Sequence, residues 1–139
     1  PTRRKPGAKG GDGANLYVKE KLLPAGDETA VSVFTVRLKG KDSTCDIVSR
    51  SVARDNSRQE FVSDVIGENE CFGHVECDAI LLDGARVVST PKIDAAHPDA
   101  SLVHEAAVGK IAGEQLVKLM SLGLDEKQAE DAVIKGCLN

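Results

Sequence analysis

The sequence predicts a mainly β protein that ends in a pair of helices. Six short runs rich in β-branched residues follow one another between residues 30 and 108, and turn-forming residues separate them. The valines Val48, Val62, Val75, Val88 and Val103 mark five of these runs and lie 13 to 15 residues apart. After residue 110 the apolar spacing changes from two residues to about 3.6 residues. Such regular strands are typical of a β-solenoid with one strand per repeat, and a small β-sandwich is an equal alternative at this point.

Residues 1–28 are expected to form a flexible arm and a lead-in. The arm is rich in Gly and basic residues, and Pro24-Ala25-Gly26-Asp27 is typical of a turn. Residues 29–110 then form the predicted β core. Its strand runs are AVSVFTVRL (30–38), CDIVSRSVA (45–53), QEFVSDVI (59–66), HVECDAILL (74–82), ARVVSTPKI (85–93) and ASLVHEAAV (100–108).

Residues 111–139 are predicted to form a helical hairpin. Gly123 is placed to end the first helix, and Asp125 with Gln128 three residues later forms a variant of the capping box that begins the second. A DNA-reading helix-turn-helix is the alternative, but acidic residues outnumber lysines in this segment. Packing against a protein is therefore the expected role. The apolar face of the first helix consists of Leu116, Leu119 and Met120.

Charge and composition exclude several classes of protein. The net charge is −4, and because residues 1–13 sum to +3, the remaining residues sum to −7. Such an acidic body is unsuited to holding a nucleic-acid backbone. No segment has the length and apolarity of a membrane span or a secretory signal, so we expect a cytoplasmic protein. The four cysteines include no C-x-x-C pair, which favours free thiols over disulfides or structural zinc.

The enzyme motifs that the chain begins to match are incomplete. His104-Glu105 opens like the H-E-x-x-H of zinc proteases, but position 108 is Val. His74-Val75-Glu76 opens like the H-x-E of zinc deaminases, but no P-C-x-x-C follows. We therefore expect no enzymatic activity from this chain itself.

A thiol, an imidazole and a carboxylate remain as candidates for chemistry. Cys77 lies in the middle of a strand, and alternation places it on the face opposite Glu76 and Asp78. A cysteine in that position is most often a small buried hydrophobic residue. His104 and Glu105 must point to opposite faces of their own strand, so one of them at most shares the face of Cys77. Thiolate and imidazole are suitable ligands for iron, and of the two neighbours we favour His104.

Two motifs resemble the SufB/SufD family, the scaffold proteins of the Suf iron–sulfur cluster assembly machinery. Glu76-Cys77-Asp78 resembles the E-C-D motif of SufB proteins, and His104-Glu105-Ala106 resembles the end of their E-H-E-A motif. Gly109-Lys110-Ile111 and the helical tail extend the similarity, which covers about residues 30–138. The resemblance favours the solenoid over the sandwich. It implies a right-handed parallel β-helix followed by a C-terminal α-helical hairpin.

The resemblance also implies a function, partners and a site. We expect a scaffold of iron–sulfur cluster assembly that works with a SufC-like ABC ATPase and pairs with a SufB- or SufD-type partner, or with itself, through the β-helix. It implies that a transient iron–sulfur cluster involves Cys77, His104 and Glu105, with Cys77 and His104 as metal ligands. The hairpin would bind the ATPase through Leu116, Leu119, Met120 and Leu124. The alternative is an interaction module of the same fold that recruits the ATPase or partner without binding metal.

Two departures from the family pattern are visible. Val103 stands where SufB proteins have the first Glu of E-H-E-A, and SufD proteins differ at the position of Glu105. The sequence therefore leaves open whether the role is SufB-like or SufD-like. The chain is also shorter than complete members, so we expect a C-terminal fragment or a truncated paralogue whose first coil exposes an edge.

Overall fold

The computed structural model describes residues 2–4, 6–111 and 113–138 of the chain. Nine strands are followed by two helices in this part of the protein. The strands are β1 (Thr2–Arg4), β2 (Gly7–Gly10), β3 (Asn15–Leu22), β4 (Thr29–Leu38), β5 (Ser43–Ala53), β6 (Arg58–Gly67), β7 (Cys71–Leu81), β8 (Arg86–Ala95) and β9 (Ala100–Lys110), and the helices are α1 (Gly113–Ser121) and α2 (Glu126–Leu138).

The strands form two parallel sheets that face each other. One sheet has the order β1-β4-β6-β8, with β2 also paired to β4, and the other has the order β3-β5-β7-β9. Consecutive strands such as β6 and β7 lie in opposite sheets, so the chain winds from one sheet to the other and back. The described strands make about four coils of a parallel β-helix, which confirms the predicted fold class.

Each coil contains two strands, where the sequence pattern predicted one strand per repeat. Gln59 pairs with Ala30 on one side and with Val87 on the other, 29 and 28 residues away. The 13- to 15-residue spacing is therefore the distance between strands of opposite sheets. Strands that are hydrogen-bonded neighbours lie twice as far apart in the sequence.

The N-terminal segment differs from the flexible arm predicted for residues 1–28. β1 and β2 pair with β4, and β3 pairs with β5 over its whole length. In β3 the residues Leu16, Val18 and Glu20 alternate with exposed neighbours. Charged residues in this strand hide its period-2 pattern, since Glu20 is buried and Lys19 is exposed.

Aspartates in left-handed backbone conformations connect successive coils. Asp55 and Asp83 have φ angles of 59° and 56° and occupy equivalent turns, 28 residues apart. The Asp55 carboxylate accepts a hydrogen bond from the Gly26 amide at 2.8 Å, and the Asp83 carboxylate accepts one from the Asp55 amide at 3.2 Å. Asp tolerates this conformation better than most residues, and its side chain can satisfy a backbone donor of the preceding coil.

The interior of the β-helix is partly apolar and partly polar. Phe34 and Phe61 pack at the centre, with ring centroids 5.8 Å apart. Next to this cluster, the buried Glu20 carboxylate accepts hydrogen bonds from the hydroxyls of Ser32 at 3.0 Å and Ser49 at 2.6 Å. A buried carboxylate in a thin solenoid requires such donors, because an unpaired charge would cost several kcal/mol.

Two C-terminal helices follow the β-helix, as the sequence predicted. The Gln128 amide donates to the Asp125 carboxylate at 2.8 Å, and the Gln128 side chain accepts from the Asp125 amide at 3.0 Å. Gly123 has a φ of 99° at the end of α1, as expected for a C′ glycine. α2 packs against β5, whose outward-facing Val48 and Val52 are buried. These observations confirm both predicted helix signals.

Candidate functional site

The last coil, formed by β8 and β9, leaves part of the β-helix interior accessible. In the described part of the chain, β8 pairs only with β6 and β9 pairs only with β7. Ile93 and Val108 lie at inward-facing positions of these two strands, yet they are 45% and 53% exposed. An edge with unpaired backbone groups and exposed interior side chains is suited to pairing with another chain.

Cys77 and His104 lie on the same inner face beside this open end. β7 and β9 are in register, so that Val75 pairs with His104 and Cys77 pairs with Ala106. Paired residues of parallel strands point to the same side of the sheet, and Val75 and Cys77 are both core residues. Cys77 and His104 are therefore diagonal neighbours on this face.

The Cys77 thiol is neutral and protected in this chain. Its side chain is fully buried. Burial raises the pKa of the Cys77 thiol to about 11, while the nearby Ser89 hydroxyl acts in the opposite direction. Ser89 lies close to the sulfur but forms no hydrogen bond of ordinary geometry. The thiol thus becomes a ligand only if a cation replaces its proton.

His104 presents a buried nitrogen that has no hydrogen-bond partner among the described residues. Its Nε2 atom is inaccessible to solvent and forms no hydrogen bond within the described chain. Burial, with a smaller contribution from His74, lowers the pKa of the His104 imidazole below its usual value. The ring is therefore neutral near pH 7, which is the form that binds metals. An orphaned buried donor or acceptor is costly, so this atom fits a ligand position.

Glu105 lies on the outer face of the same sheet, where it contacts His74. The Nε2 atom of His74 is 3.1 Å from a Glu105 carboxylate oxygen, and the Nδ1 atom is 2.8 Å from Asp46. Hydrogen bonds to Asp46 and Glu105 raise the pKa of His74. Glu76 completes a cluster in which single ligand atoms of His74, Glu76 and Glu105 all lie within 4.8 Å of one another. The structure therefore separates Glu105 from Cys77 and His104.

Sequence reasoning considered His74 only as the start of an incomplete zinc-deaminase motif, and it did not consider Asp46. Their contacts connect strands that are 28 and 31 residues apart, and a pattern within one strand carries no information about its neighbour. Alignment of the coils at the observed register would have placed Glu76 beside Glu105, because these residues are direct partners.

The inner pair brings together two groups that bind transition metals. A thiolate and a neutral imidazole are both common ligands of such metals. They lie beside an open coil end, so an ion held there would have room for further ligands from outside the chain.

The hairpin residues predicted to bind a partner differ in exposure. Leu116, Leu119 and Leu124 are half-buried, and Met120 is 41% exposed. Val117 and Leu122 of the same hairpin are more exposed still, at 62% and 80%. The accessible apolar surface is thus centred on Met120 and on two residues that the sequence pattern did not select. No helix in the described part of the chain is long and apolar enough to cross a membrane.

Comparison with known proteins places this geometry in a family. A family model described as the SufBD core domain of the SUF system for iron–sulfur cluster assembly matches residues 6–137. Among curated relatives, an iron–sulfur cluster assembly SufBD family protein of Pyrococcus horikoshii is 31% identical over 129 residues, which cover 92% of this chain and 40% of that protein. Proteins of the same description from Methanocaldococcus jannaschii and Methanothermobacter thermautotrophicus are 36% and 35% identical, over 74% and 75% of this chain.

The chain spans well under half the length of these relatives, since the aligned segments cover 26% to 40% of them. The family model nevertheless covers β2 to β9 and most of the helical hairpin. The coil architecture, the helical hairpin and these matches agree, and the chain belongs to the SufBD family of iron–sulfur cluster assembly proteins.

Proposed function

We propose that this chain is a scaffold component of a Suf-type system, on which an iron–sulfur cluster is assembled in cooperation with a SufC-like ABC ATPase. The observation that carries the proposal is the unpartnered Nε2 atom of His104 on the same inner face as the Cys77 thiol. Both groups lie next to the open last coil. The chain holds the cargo and has no catalytic role of its own, and its free buried thiols suit the cytoplasm.

Iron binding provides a physical route to an active thiolate. Burial favours the neutral forms of both Cys77 and His104, so neither carries charge near pH 7 in the metal-free chain. A bound iron ion replaces the thiol proton and neutralises the thiolate, which removes the reason for the raised pKa. His104 already has the ligand-competent form. The site is therefore prepared for metal without an exposed, oxidisable thiolate.

The partners follow from two exposed surfaces. The last coil presents unpaired strand edges with exposed interior residues such as Ile93 and Val108, which suits a SufB- or SufD-type partner or a second copy. The hairpin presents Met120, Val117 and Leu122, which suit an ATPase that docks against an apolar strip. We propose these two surfaces as the sites of the two partnerships.

Anaerobic reconstitution with ferrous iron and sulfide tests the cluster proposal. The wild-type chain, alone or with its partner, should acquire the visible absorption of an iron–sulfur chromophore. Cys77→Ser and His104→Gln should reduce that absorption strongly. Cys45→Ser is the matched control, because Cys45 is also buried and its pKa is also raised to about 11, but it lies one coil further from the open end. Equal loss in Cys45→Ser and Cys77→Ser would contradict the assignment.

The full burial of Cys77 favours one alternative function. A thiol that is inaccessible and neutral behaves as a small apolar core residue, and the chain would then act as an interaction module without metal. In that case Cys77→Ala and His104→Gln would leave ATPase binding and partner pairing unchanged, and reconstitution would yield no chromophore in any variant. Leu122→Asp tests the hairpin surface independently of the last coil. It should weaken ATPase binding, while pairing through the last coil should persist.

A further inference from the structure

The outer face of β7 and β9 carries a cluster whose geometry is close to that of a metal site. Ligand atoms of His74, Glu76 and Glu105 lie within 4.8 Å of one another. Donor atoms around a first-row metal at about 2.1 Å are separated by about 3 to 4 Å. The Glu105 side chain is 59% exposed, so a change of its rotamer can shorten these separations.

The charges of this cluster are unbalanced in the metal-free chain. Glu76 and Glu105 are direct partners on adjacent strands, about 4.8 Å apart, and like charges at such positions destabilise a sheet. Asp46 adds a third carboxylate on the next strand. In the described part of the chain no Lys or Arg forms an ion pair with these three residues; His74 pairs with Asp46 and Glu105, and Glu76 forms no ion pair. A divalent cation would offset this excess of negative charge.

Asp46 holds the His74 ring in the orientation that metal binding requires. The Nδ1 atom lies 2.8 Å from the Asp46 carboxylate, so Nδ1 donates to Asp46 and the ring turns Nε2 toward Glu105. Metal-binding histidines commonly use this arrangement, in which a carboxylate fixes one nitrogen and leaves the other for the metal. Asp46 is a positioning residue in this arrangement and makes no contact with the ion.

We infer that His74, Glu76 and Glu105 bind a divalent first-row transition metal on the outer face of the sheet, with Asp46 orienting His74. One imidazole and two carboxylates form a mixed nitrogen and oxygen donor set, which suits Fe²⁺, Mn²⁺, Co²⁺ or Zn²⁺. The site is distinct from the inner pair, because Cys77 and His104 point to the other side of the same strands. The inference does not depend on the proposed function.

Titration of the full chain with Co²⁺ under anaerobic conditions, in buffer freed of other metals, tests this site. We expect one equivalent to bind and to produce a visible d–d spectrum without a sulfur-to-cobalt charge-transfer band. His74→Gln and Glu76→Gln should weaken Co²⁺ binding at least about tenfold, and Asp46→Asn by a comparable factor. Glu76→Gln is the decisive variant, since Glu76 forms no ion pair among the described residues and its loss should leave the circular dichroism spectrum unchanged.

Two variants serve as controls. Glu60→Gln, on the outer face of the opposite sheet, and Cys77→Ser should both bind Co²⁺ like the wild type. Absence of Co²⁺ binding, or unchanged affinity in Glu76→Gln, would reduce the cluster to an ion-pair network and overturn the inference. A charge-transfer band that disappears in Cys77→Ser, together with a d–d spectrum that Glu76→Gln leaves unchanged, would assign the ion to the inner pair and overturn the inference as well. Cluster reconstitution is expected to depend on Cys77, whereas Co²⁺ binding is expected to depend on Glu76. Each hypothesis can therefore fail alone.

Discussion

In the folded chain Cys77 should be alkylated much more slowly than in the unfolded chain, because burial raises the pKa of its thiol and shields its sulfur. Burial raises the pKa of the thiol from 9.0 to about 11. At pH 8 the thiolate fraction therefore falls from about one in ten to about one in a thousand, a change of about a hundredfold. The side chain is also fully buried, so the reagent reaches the sulfur only when the folded structure opens locally. The folded chain should react at least about a hundred times more slowly than the chain in urea.

Iodoacetamide labelling followed by peptide mass spectrometry measures this rate for each cysteine separately. Cys45 is the internal reference, because its thiol has the same raised pKa of about 11 and is equally buried. Cys77 lies closer to the open last coil and should react faster than Cys45. A folded rate for Cys77 within tenfold of the rate in urea, or a plateau of the rate between pH 8 and pH 9, would refute the reasoning.

The raised pKa values of Cys45 and Cys77 also predict that the free energy of unfolding decreases at high pH. Both thiols have folded pKa values raised above the unfolded value of 9.0, so the folded chain retains these protons more tightly. Their contribution is fully present below about pH 9 and is lost as the pH rises toward 11, by up to about 3 kcal/mol for each thiol. Urea unfolding from pH 8 to pH 11 should therefore show decreasing stability, and Cys45→Ala with Cys77→Ala should flatten the decrease.

Three further predictions concern the fold and the outer cluster. Phe61→Ala removes a fully buried ring that packs on Phe34 and should cost about 3–5 kcal/mol in urea unfolding, whereas the exposed Tyr17→Ala should cost little. Gly40→Ala would place a Cβ atom 2.0 Å from the Gly11 backbone, so thermal unfolding should show a clear loss of stability. In metal-free buffer Glu105→Gln should lower the pKa of His74 in an NMR titration. Because that pKa is raised in the fold, its stabilising effect is present below about pH 6.5 and is lost as the pH rises through the folded value.

Local signals were sufficient to predict six of the nine described strands and both helices. The Asp125–Gln128 capping box and Gly123 were predicted correctly, because capping depends on residues within one turn. The strand runs were visible for the same reason. The two-strand coil was not visible, since alternation identifies the two faces of a strand but not its neighbour. β3 was missed because its buried position 20 is a glutamate, whose partners Ser32 and Ser49 lie in other strands.

For the candidate site too, the sequence predicted the features that depend on a single strand and missed those that depend on neighbouring strands. Alternation correctly separates His104 from Glu105, because it depends only on the strand that contains them. The environment of each depends on β7, and the contact between His74 and Glu105 spans 31 residues. Exposure of the inner face depends on the absence of a further neighbour for β8 and β9 in the described chain, which no sequence pattern within these strands records.

The two faces of β7 and β9 differ in the form of iron that they could accept. The outer cluster consists of oxygen and imidazole donors that are partly exposed, which favours a hydrated divalent ion. The inner pair consists of a thiol and an imidazole in a dry environment, which favours a metal that also binds sulfide. Glu76 and Cys77 are adjacent in the sequence but point to opposite sides, so the sheet itself separates the two candidate sites.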